Sequence, residues 1–258
     1  MANKRGQVTL FVILGIVIVA IIVLLLAFRK DILPKTGSPE NIDATMKGIE
    51  KGIRECMAEA ADEPITRIGL QGGYLSTPEG SYRRWNDYAV SYLCYNQAGK
   101  ETCTNRFLTM GKMEEQLSEA ITENMGKCMD IDEFASLGLI KTIEVIPGNA
   151  MDVTVSIAKD VVNIELNYKV EVKGSSGSKV KDKFEIAIRS PLGELYEVSQ
   201  DIIDSETTFG RFDQLTYMLN KMSLYTIYVQ KPYPDKIYQI KLREKDYMFQ
   251  FAVEGEPS

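Results

Sequence analysis

The sequence DVTVSIAKDVVNIELNYKVEV, residues 152–172, is the clearest indication of the fold class. Apolar residues alternate with polar ones along it, which is the period of β-strands that bury one face. It predicts strands over 152–158 and 161–172, joined by a turn at Lys159-Asp160. We expect flanking strands at 139–145 and 183–188, the second reached through a flexible hairpin loop, KGSSGSK, at 173–179.

Downstream of these strands the apolar period becomes helical. A helix is expected to begin at Ser190-Pro191, because Ser caps helices and Pro fits the first helical position. It should bury Leu192, Leu195, Tyr196 and Ile202. A second helix aligns Phe212, Leu215, Leu219 and Met222. Strands over 224–229, 236–242 and 247–253 follow, the last of them half-buried. This order predicts an α+β domain over 136–258, with two helices on one face of a mainly antiparallel sheet.

The segment upstream, residues 40–135, combines two helices with a hairpin. Apolar residues of the first helix recur at spacings of four and three and form one stripe: Ile42, Met46, Ile49, Ile53, Cys56 and Ala60. Pro64 is expected to stop or restart this helix. The second helix, over 113–129, aligns Met113, Leu117, Ile121 and Cys128. Each helix therefore carries one cysteine on the face that should contact the other helix.

The remaining cysteines, Cys94 and Cys103, bracket a predicted hairpin over 92–104. With Ala98-Gly99 as its two-residue turn, they form a non-hydrogen-bonded pair whose Cα atoms lie about 4.5 Å apart, within reach of a disulfide. We therefore predict the disulfides Cys94–Cys103 and Cys56–Cys128, one of the three ways to pair four cysteines. A zinc site and reduced thiols in a cytosolic domain are the alternatives, although the spacing of Cys94 and Cys103 does not fit a zinc knuckle.

Between the two helices lie GLQGGY, residues 69–74, and a series of aromatic residues. The glycines should form a tight turn and no phosphate-binding loop, because no strand precedes them and no Lys-Ser or Lys-Thr follows. The aromatic residues either offer a recognition surface for peptide or glycan or, as we expect, pack on the helix pair. They are Tyr82, Trp85, Tyr88, Tyr92 and Tyr95.

Composition excludes several classes of function. The chain has no histidine, which removes Ser-His-Asp and Cys-His catalysis, HExxH zinc sites and haem held by a proximal histidine. Four of the 30 basic residues and none of the 36 acidic ones precede residue 31, so residues 31–258 carry a net charge of −10. Such a body argues against nucleic acid or anionic lipid as the main partner.

Acidic clusters are the remaining candidates for a metal site. Asp201, Asp204 and Glu206 form one, and residues 130–133 (DIDE) form another. The second lacks the glycine and distal glutamate of a calcium-binding loop, and we expect both clusters to be solvated. The sequence therefore predicts no metal, no cofactor and no catalytic residue.

The N-terminal part of the chain is typical of a membrane anchor. Residues 8–28, VTLFVILGIVIVAIIVLLLAF, carry no charge, and as a helix they span about 31 Å, the thickness of the hydrocarbon core of a bilayer. A secretory signal has a shorter apolar core that ends in small residues. We predict a leader at 1–6, a transmembrane helix at 7–30 that contacts lipid from Val8 to Phe28, and a linker at 31–39.

The residues that open this helix, KRGQVTL at 4–10, resemble the prepilin-type signal of archaeal pilins and archaellins. The resemblance implies that a prepilin-type peptidase cuts between Gly6 and Gln7 on the cytoplasmic side and leaves the helix attached. Gln7 and Thr9 match the polar first and third mature positions, whereas Phe11 stands where pilins often have Glu. The rest of the chain resembles uncharacterised membrane-anchored proteins of small-genome archaea, which implies an architecture and a location but no activity.

These features predict a non-enzymatic, single-pass membrane protein of the cell surface, with its N-terminus in the cytoplasm and its disulfide-bonded body outside. Its role would be structural, adhesive or in assembly, with copies of itself or other pilin-like subunits as partners. Gly6 and Gln7 favour this hypothesis. Phe11 favours an alternative, a monomeric signal-anchored ectodomain that binds a ligand or acts as an accessory subunit. A surface hydrolase that uses two facing carboxylates is the third hypothesis.

Overall fold

The first helix, α1 (Ile42–Leu70), does not end or restart at Pro64 as the sequence predicts. Proline has no N–H, so Pro64 cannot donate to the carbonyl of Ala60 one turn earlier. The side-chain amide of Asn124 donates to that carbonyl instead, at 3.2 Å. A neighbouring helix thus replaces the hydrogen bond that the proline removes, and α1 continues through it.

The computed structural model describes residues 42–97, 100, 102–131, 134, 144–148, 150–174 and 177–255. The predicted leader, transmembrane helix and linker lie outside these residues, as do the Ala98-Gly99 turn and residues 139–143 of one predicted strand. Residues Ile42–Ser258 form one compact unit.

The GLQGGY segment ends α1 as a tight turn, as predicted. Gly72 and Gly73 have φ angles of 71° and 90°, which side chains rarely tolerate. The N–H of Gly73 donates back to the carbonyl of Ile68 at 2.7 Å, the long hydrogen bond of a Schellman cap. A Cβ on Gly69 would lie 2.5 Å from the Tyr247 hydroxyl and 2.7 Å from the Met248 carbonyl. These glycines therefore let the end of α1 lie directly against the chain near residue 248.

The second helix, α2 (Met110–Cys128), begins three residues before the predicted start. The side chain of Thr109 caps it by accepting a hydrogen bond from the N–H of Lys112. Its buried face packs along α1 and consists of Met113, Leu117, Ile121 and Met125. The predicted helix pair is confirmed.

Ten strands in the described residues form two sheets. They are β1 (Tyr82–Trp85), β2 (Tyr88–Tyr95), β3 (Thr104–Asn105), β4 (Glu144–Pro147), β5 (Asp152–Ile157), β6 (Val161–Gly174), β7 (Gly177–Arg189), β8 (Tyr225–Gln230), β9 (Lys236–Leu242) and β10 (Met248–Val253). All pairs are antiparallel except β2 with β10. The predicted α+β class is confirmed.

The four-stranded sheet is built around β6. One edge of β6 pairs with β5 and then with β4, and the other edge pairs with β7. The prediction of a flexible loop at 173–179 is wrong, because the pairing of β6 with β7 continues until Gly174 faces Gly177. Backbone pairing does not require apolar side chains, so the Ser- and Gly-rich sequence extends both strands. The apolar face of the sheet packs against α1 and α2.

The six-stranded sheet has the order β1-β2-β10-β9-β8, with β3 beside β2. The strand β10 lies between β2 and β9 and is not half-buried as expected, because side chains cover both of its faces. Phe249 and Phe251 face the main core, and Ala252 faces a smaller cluster with Val90 and Ile237. The predicted modules 40–135 and 136–258 both contribute strands to this sheet.

The two predicted C-terminal helices are present. The first, α3 (Leu192–Phe209), begins one residue later than predicted, because Pro191 and not Ser190 is its N-cap residue. The hydroxyl of Ser190 still accepts from the N–H of Leu192 at 3.3 Å, and α3 buries the four predicted residues. The second, α4 (Gln214–Asn220), has no buried residue. Of the four apolar residues that the sequence aligned, Phe212 precedes α4 and Met222 follows it. Phe212 is half-buried and packs on Tyr217 and Tyr238, whereas the side chains of Leu215, Leu219 and Met222 are exposed.

Candidate functional site

The disulfide between Cys56 and Cys128 joins the helix pair. Cys56 lies on the buried stripe of α1 and is 3% exposed, and Cys128 is the last residue of α2. Their Cα atoms are 5.6 Å apart, within the ordinary range for a disulfide. The bond fixes the C-terminal end of α2 against α1, as the positions of the two cysteines predict.

The disulfide between Cys94 and Cys103 is also present, with its Cα atoms 5.2 Å apart. The predicted hairpin register is wrong, however, because Cys94 pairs with Asn105 in place of Cys103. The chain beyond Cys94 is held by Glu254, whose carboxylate accepts from the N–H of Asn96 at 2.7 Å. The ladder with β3 is two residues long, and the disulfide closes the loop that precedes it.

The predicted processing residues, Gly6 and Gln7, and the apolar run from Val8 to Phe28 lie outside the described residues. Within the part of the chain that the structure describes, no helix is long and apolar enough to cross a membrane.

The sequence led us to expect that the aromatic residues of β1 and β2 pack on the helix pair. This expectation is wrong. Trp85, Tyr88 and Tyr92 pack on the small cluster of Val90, Ile237 and Ala252. The hydroxyl of Tyr92 donates to the buried carboxylate of Asp235 at 2.7 Å. These rings therefore cover part of the six-stranded sheet.

Asp235 is the centre of a buried polar cluster that sequence reasoning missed. It is 3% exposed. Its carboxylate accepts hydrogen bonds from the guanidinium of Arg83, from Tyr92, and from the N–H of Gly255 at 3.1 Å. Burial, followed by the hydrogen bond and charge of Asp235, raises the pKa of Tyr92 to about 12. The cluster ties β1, β2 and the segment after β10 to the start of β9.

A second buried carboxylate, Glu206, lies at the C-terminal end of α3 and is 1% exposed. The ammonium of Lys236 donates to its two oxygens at 2.9 and 2.7 Å. The hydroxyl of Tyr238, two residues further along β9, donates to the same carboxylate. Burial and then this hydrogen bond raise the pKa of Tyr238. The three side chains tie α3 to β9.

These side chains form the floor of a pocket of about 660 Å³ whose rim includes Arg211 and Lys231. Lys236 and Tyr238 both donate hydrogen bonds to the carboxylate of Glu206. This carboxylate would have to lose one of these hydrogen bonds before it could act as a general acid or base. This geometry suits a structural tie between α3 and β9, with cationic side chains left at the rim.

The sequence grouped Glu206 with Asp201 and Asp204, but the fold separates them. Asp201 and Asp204 are exposed on α3, whereas Glu206 continues the buried stripe of Leu195 and Ile202. The sequence signal for the burial of Glu206 was its position on this stripe, four residues after Ile202. The described residues contain no group of three or more His, Cys, Asp or Glu side chains placed to hold a metal ion.

Comparisons with known proteins give no relative from which a function could be transferred. No protein-family model, no curated protein and no solved structure matches the chain.

Proposed function

We propose that this protein is a non-enzymatic, membrane-anchored protein whose body lies outside the cytoplasm and has a structural, adhesive or assembly role at the cell surface. The observation that carries the proposal is the pair of disulfides, Cys56–Cys128 and Cys94–Cys103, because such bonds persist in oxidising compartments. The uncharged run from Val8 to Phe28 supports an N-terminal anchor long enough to span a bilayer.

The resemblance of KRGQVTL to a prepilin-type signal supports a pilin-like origin for the anchor. In this proposal a prepilin-type peptidase cuts between Gly6 and Gln7, and the apolar helix stays attached to the body. Copies of this chain or other pilin-like subunits are then the partners.

The N-terminal residue of the membrane-extracted native protein, identified by mass spectrometry, tests this proposal. We expect the mature chain to begin at Gln7. A Gly6→Leu variant should keep residues 1–6, whereas the control Gly15→Leu, within the apolar run, should be cut like the wild type. A wild-type chain that begins at Met1 or Ala2 would contradict pilin-like processing.

A second candidate is a monomeric signal-anchored ectodomain that binds a ligand or acts as an accessory subunit. Phe11, at the position where pilins often have Glu, favours it, and so does the pocket above Glu206. A chain that begins at Met1 or Ala2 and stays monomeric after extraction would favour this candidate over the first.

A further inference from the structure

The pocket above Glu206 is large enough to hold a small molecule. Its volume is about 660 Å³, which lies within the range of cavities that bind small ligands. Residues 211–215, which connect α3 to α4 and begin α4, form one wall. Val229 on β8, Lys231 and the start of β9 form another wall. The pocket therefore lies where two helices and two strands of the body meet.

The charged side chains that line the pocket have an excess of positive charge. Three of them are cations, Arg211, Lys231 and Lys236, and two are carboxylates, Glu206 and Asp213. The excess is one positive charge, on a body that is strongly acidic overall. A local charge opposite to that of the body favours an anion over a cation at this place.

Both carboxylates already accept hydrogen bonds from the protein. Lys236 donates to the two oxygens of Glu206 at 2.9 and 2.7 Å. The two oxygens of Asp213 accept from the N–H and from the hydroxyl of Thr216, at 3.1 and 2.8 Å. These hydrogen bonds and, more weakly, the charge of Arg211 lower the pKa of Asp213. Neither carboxylate therefore needs a cationic ligand.

Three other polar side chains of the pocket are left without a hydrogen bond. The guanidinium of Arg211, the ammonium of Lys231 and the half-buried amide of Gln214 make no hydrogen bond or ion pair with another described residue. Guanidinium and ammonium groups form their strongest hydrogen bonds with anionic oxygens. The donors that remain open in this pocket therefore suit a carboxylate.

The pocket also has an apolar part. Phe212 and Val229 line it and are both half-buried. The ring of Phe212 packs on Tyr217 and Tyr238, with centroids 5.2 and 6.1 Å apart, so its position does not depend on a ligand. A ligand that contacts Phe212 and Val229 gains by removing apolar surface from water.

We propose that the pocket above Glu206 binds a small molecule that has one carboxylate and an apolar body. The single excess positive charge matches a monoanion, whereas a dianion would be left partly uncompensated beside the two carboxylates of the pocket. The carboxylate of the ligand accepts hydrogen bonds from Arg211 and Lys231. Its apolar body contacts Phe212 and Val229.

This inference rests on the second candidate function, an ectodomain that binds a ligand, and it names the chemical class of that ligand. Binding to the pocket and the start of the mature chain at Gln7 are separate measurements. A body that binds no carboxylate leaves the proposed processing unaffected, and a chain that begins at Met1 leaves the pocket unaffected.

The test is calorimetric titration of the full chain in mild detergent, with protein-free detergent as the blank. The probes are 2-naphthoate, its neutral analogue 2-naphthylmethanol, its cationic analogue 2-naphthylmethylamine, and acetate. We expect one site that binds 2-naphthoate about tenfold more tightly than the alcohol, because two exposed cations each contribute a modest charge interaction. The amine and acetate should bind more weakly than 2-naphthoate, because one lacks the negative charge and the other lacks the apolar body.

Variants of the two cations locate the site. Arg211→Gln and Lys231→Gln should each weaken 2-naphthoate about threefold, and the double variant should lose the preference for 2-naphthoate over the alcohol. Both side chains are exposed and make no hydrogen bond, so the fold should survive. Lys169→Gln, at an exposed lysine of β6 that likewise makes no hydrogen bond or ion pair with a described residue, is the matched control and should bind 2-naphthoate like the wild type.

Three results would overturn the proposal. The first is a wild type without saturable binding of 2-naphthoate, or with equal affinity for the alcohol. The second is tighter binding of the amine, which would keep a ligand-binding ectodomain but assign it a cationic ligand. The third is a double variant that keeps the preference for 2-naphthoate, which would place the site elsewhere in the chain.

Discussion

Asp235 shows how single residues of this fold keep a buried charge. Three donors surround its carboxylate: Arg83, Tyr92 and the N–H of Gly255. A buried carboxylate with fewer partners would lose more solvation than it recovers in hydrogen bonds. These donors come from β1, β2 and the chain after β10, so the charge also holds together distant parts of the sheet.

Tyr92 should make the free energy of unfolding depend on pH in the alkaline range. Burial and Asp235 raise the pKa of Tyr92 from 10.0 to about 12. A group whose pKa is raised by folding stabilises the fold fully below its unfolded pKa and loses that contribution as the pH rises through its folded pKa. We therefore expect the free energy of unfolding to fall between pH 10 and about 12, and to fall less steeply in Tyr92→Phe. Denaturant titrations across this range measure both slopes; coincident slopes would contradict the assignment.

Residue-level interpretation of the sequence succeeded where a local rule sufficed. The glycines of GLQGGY predicted a turn, because a positive φ is a property of the residue itself. Pro64 was misjudged because its missing hydrogen bond is replaced by Asn124, which is distant in sequence. Glu206 was misjudged because its partners lie on β9, and nothing near residue 206 identifies them.

At the scale of elements, the disulfides act on loops of different length. Cys56 and Cys128 are separated by 72 residues, and Cys94 and Cys103 by 9. In the chain-entropy account, closing the longer loop stabilises the fold by about 4 kcal/mol and closing the shorter one by about 2.5–3 kcal/mol. The longer link also crosses the buried face of the helix pair.

We therefore expect Cys56→Ser/Cys128→Ser to lower the free energy of unfolding more than Cys94→Ser/Cys103→Ser. Each double variant is the matched control for the other, because both exchange two cysteines for serine. Chemical denaturation of the two full-length variants provides the comparison. The reverse order would contradict the larger stabilisation that we assign to the disulfide of the helix pair.

Element boundaries were predictable where periodicity was strong, as for β5, β6 and β9. The β6–β7 hairpin was missed because Ser and Gly residues carry no periodic signal, although their backbones can pair. The burial of β10 on both faces could not be predicted either. Its partner β2 lies far away in sequence, and the parallel pairing of the two strands leaves no local pattern.

At the scale of the whole molecule, the distribution of surface charge is more informative than its sum. Residues 31–258 are strongly acidic overall, yet the pocket above Glu206 has the cationic side chains of Arg211 and Lys231 at its rim. Sequence reasoning aligned Leu215, Leu219 and Met222 on one helical face, but α4 ends at Asn220 and Met222 follows it with a φ of 51°. It could not tell which face of α4 meets the body, because Tyr217 and Met218 provide the inward contacts.

We propose that this body folds with both disulfides formed, outside the reducing cytoplasm. The most direct test is to alkylate free thiols in intact cells with a membrane-permeable reagent, and then to map the peptides of the native protein without reduction. We predict two linked peptide pairs, Cys56 with Cys128 and Cys94 with Cys103, and no alkylated cysteine. Four alkylated cysteines would contradict the claim and place the body in the cytoplasm.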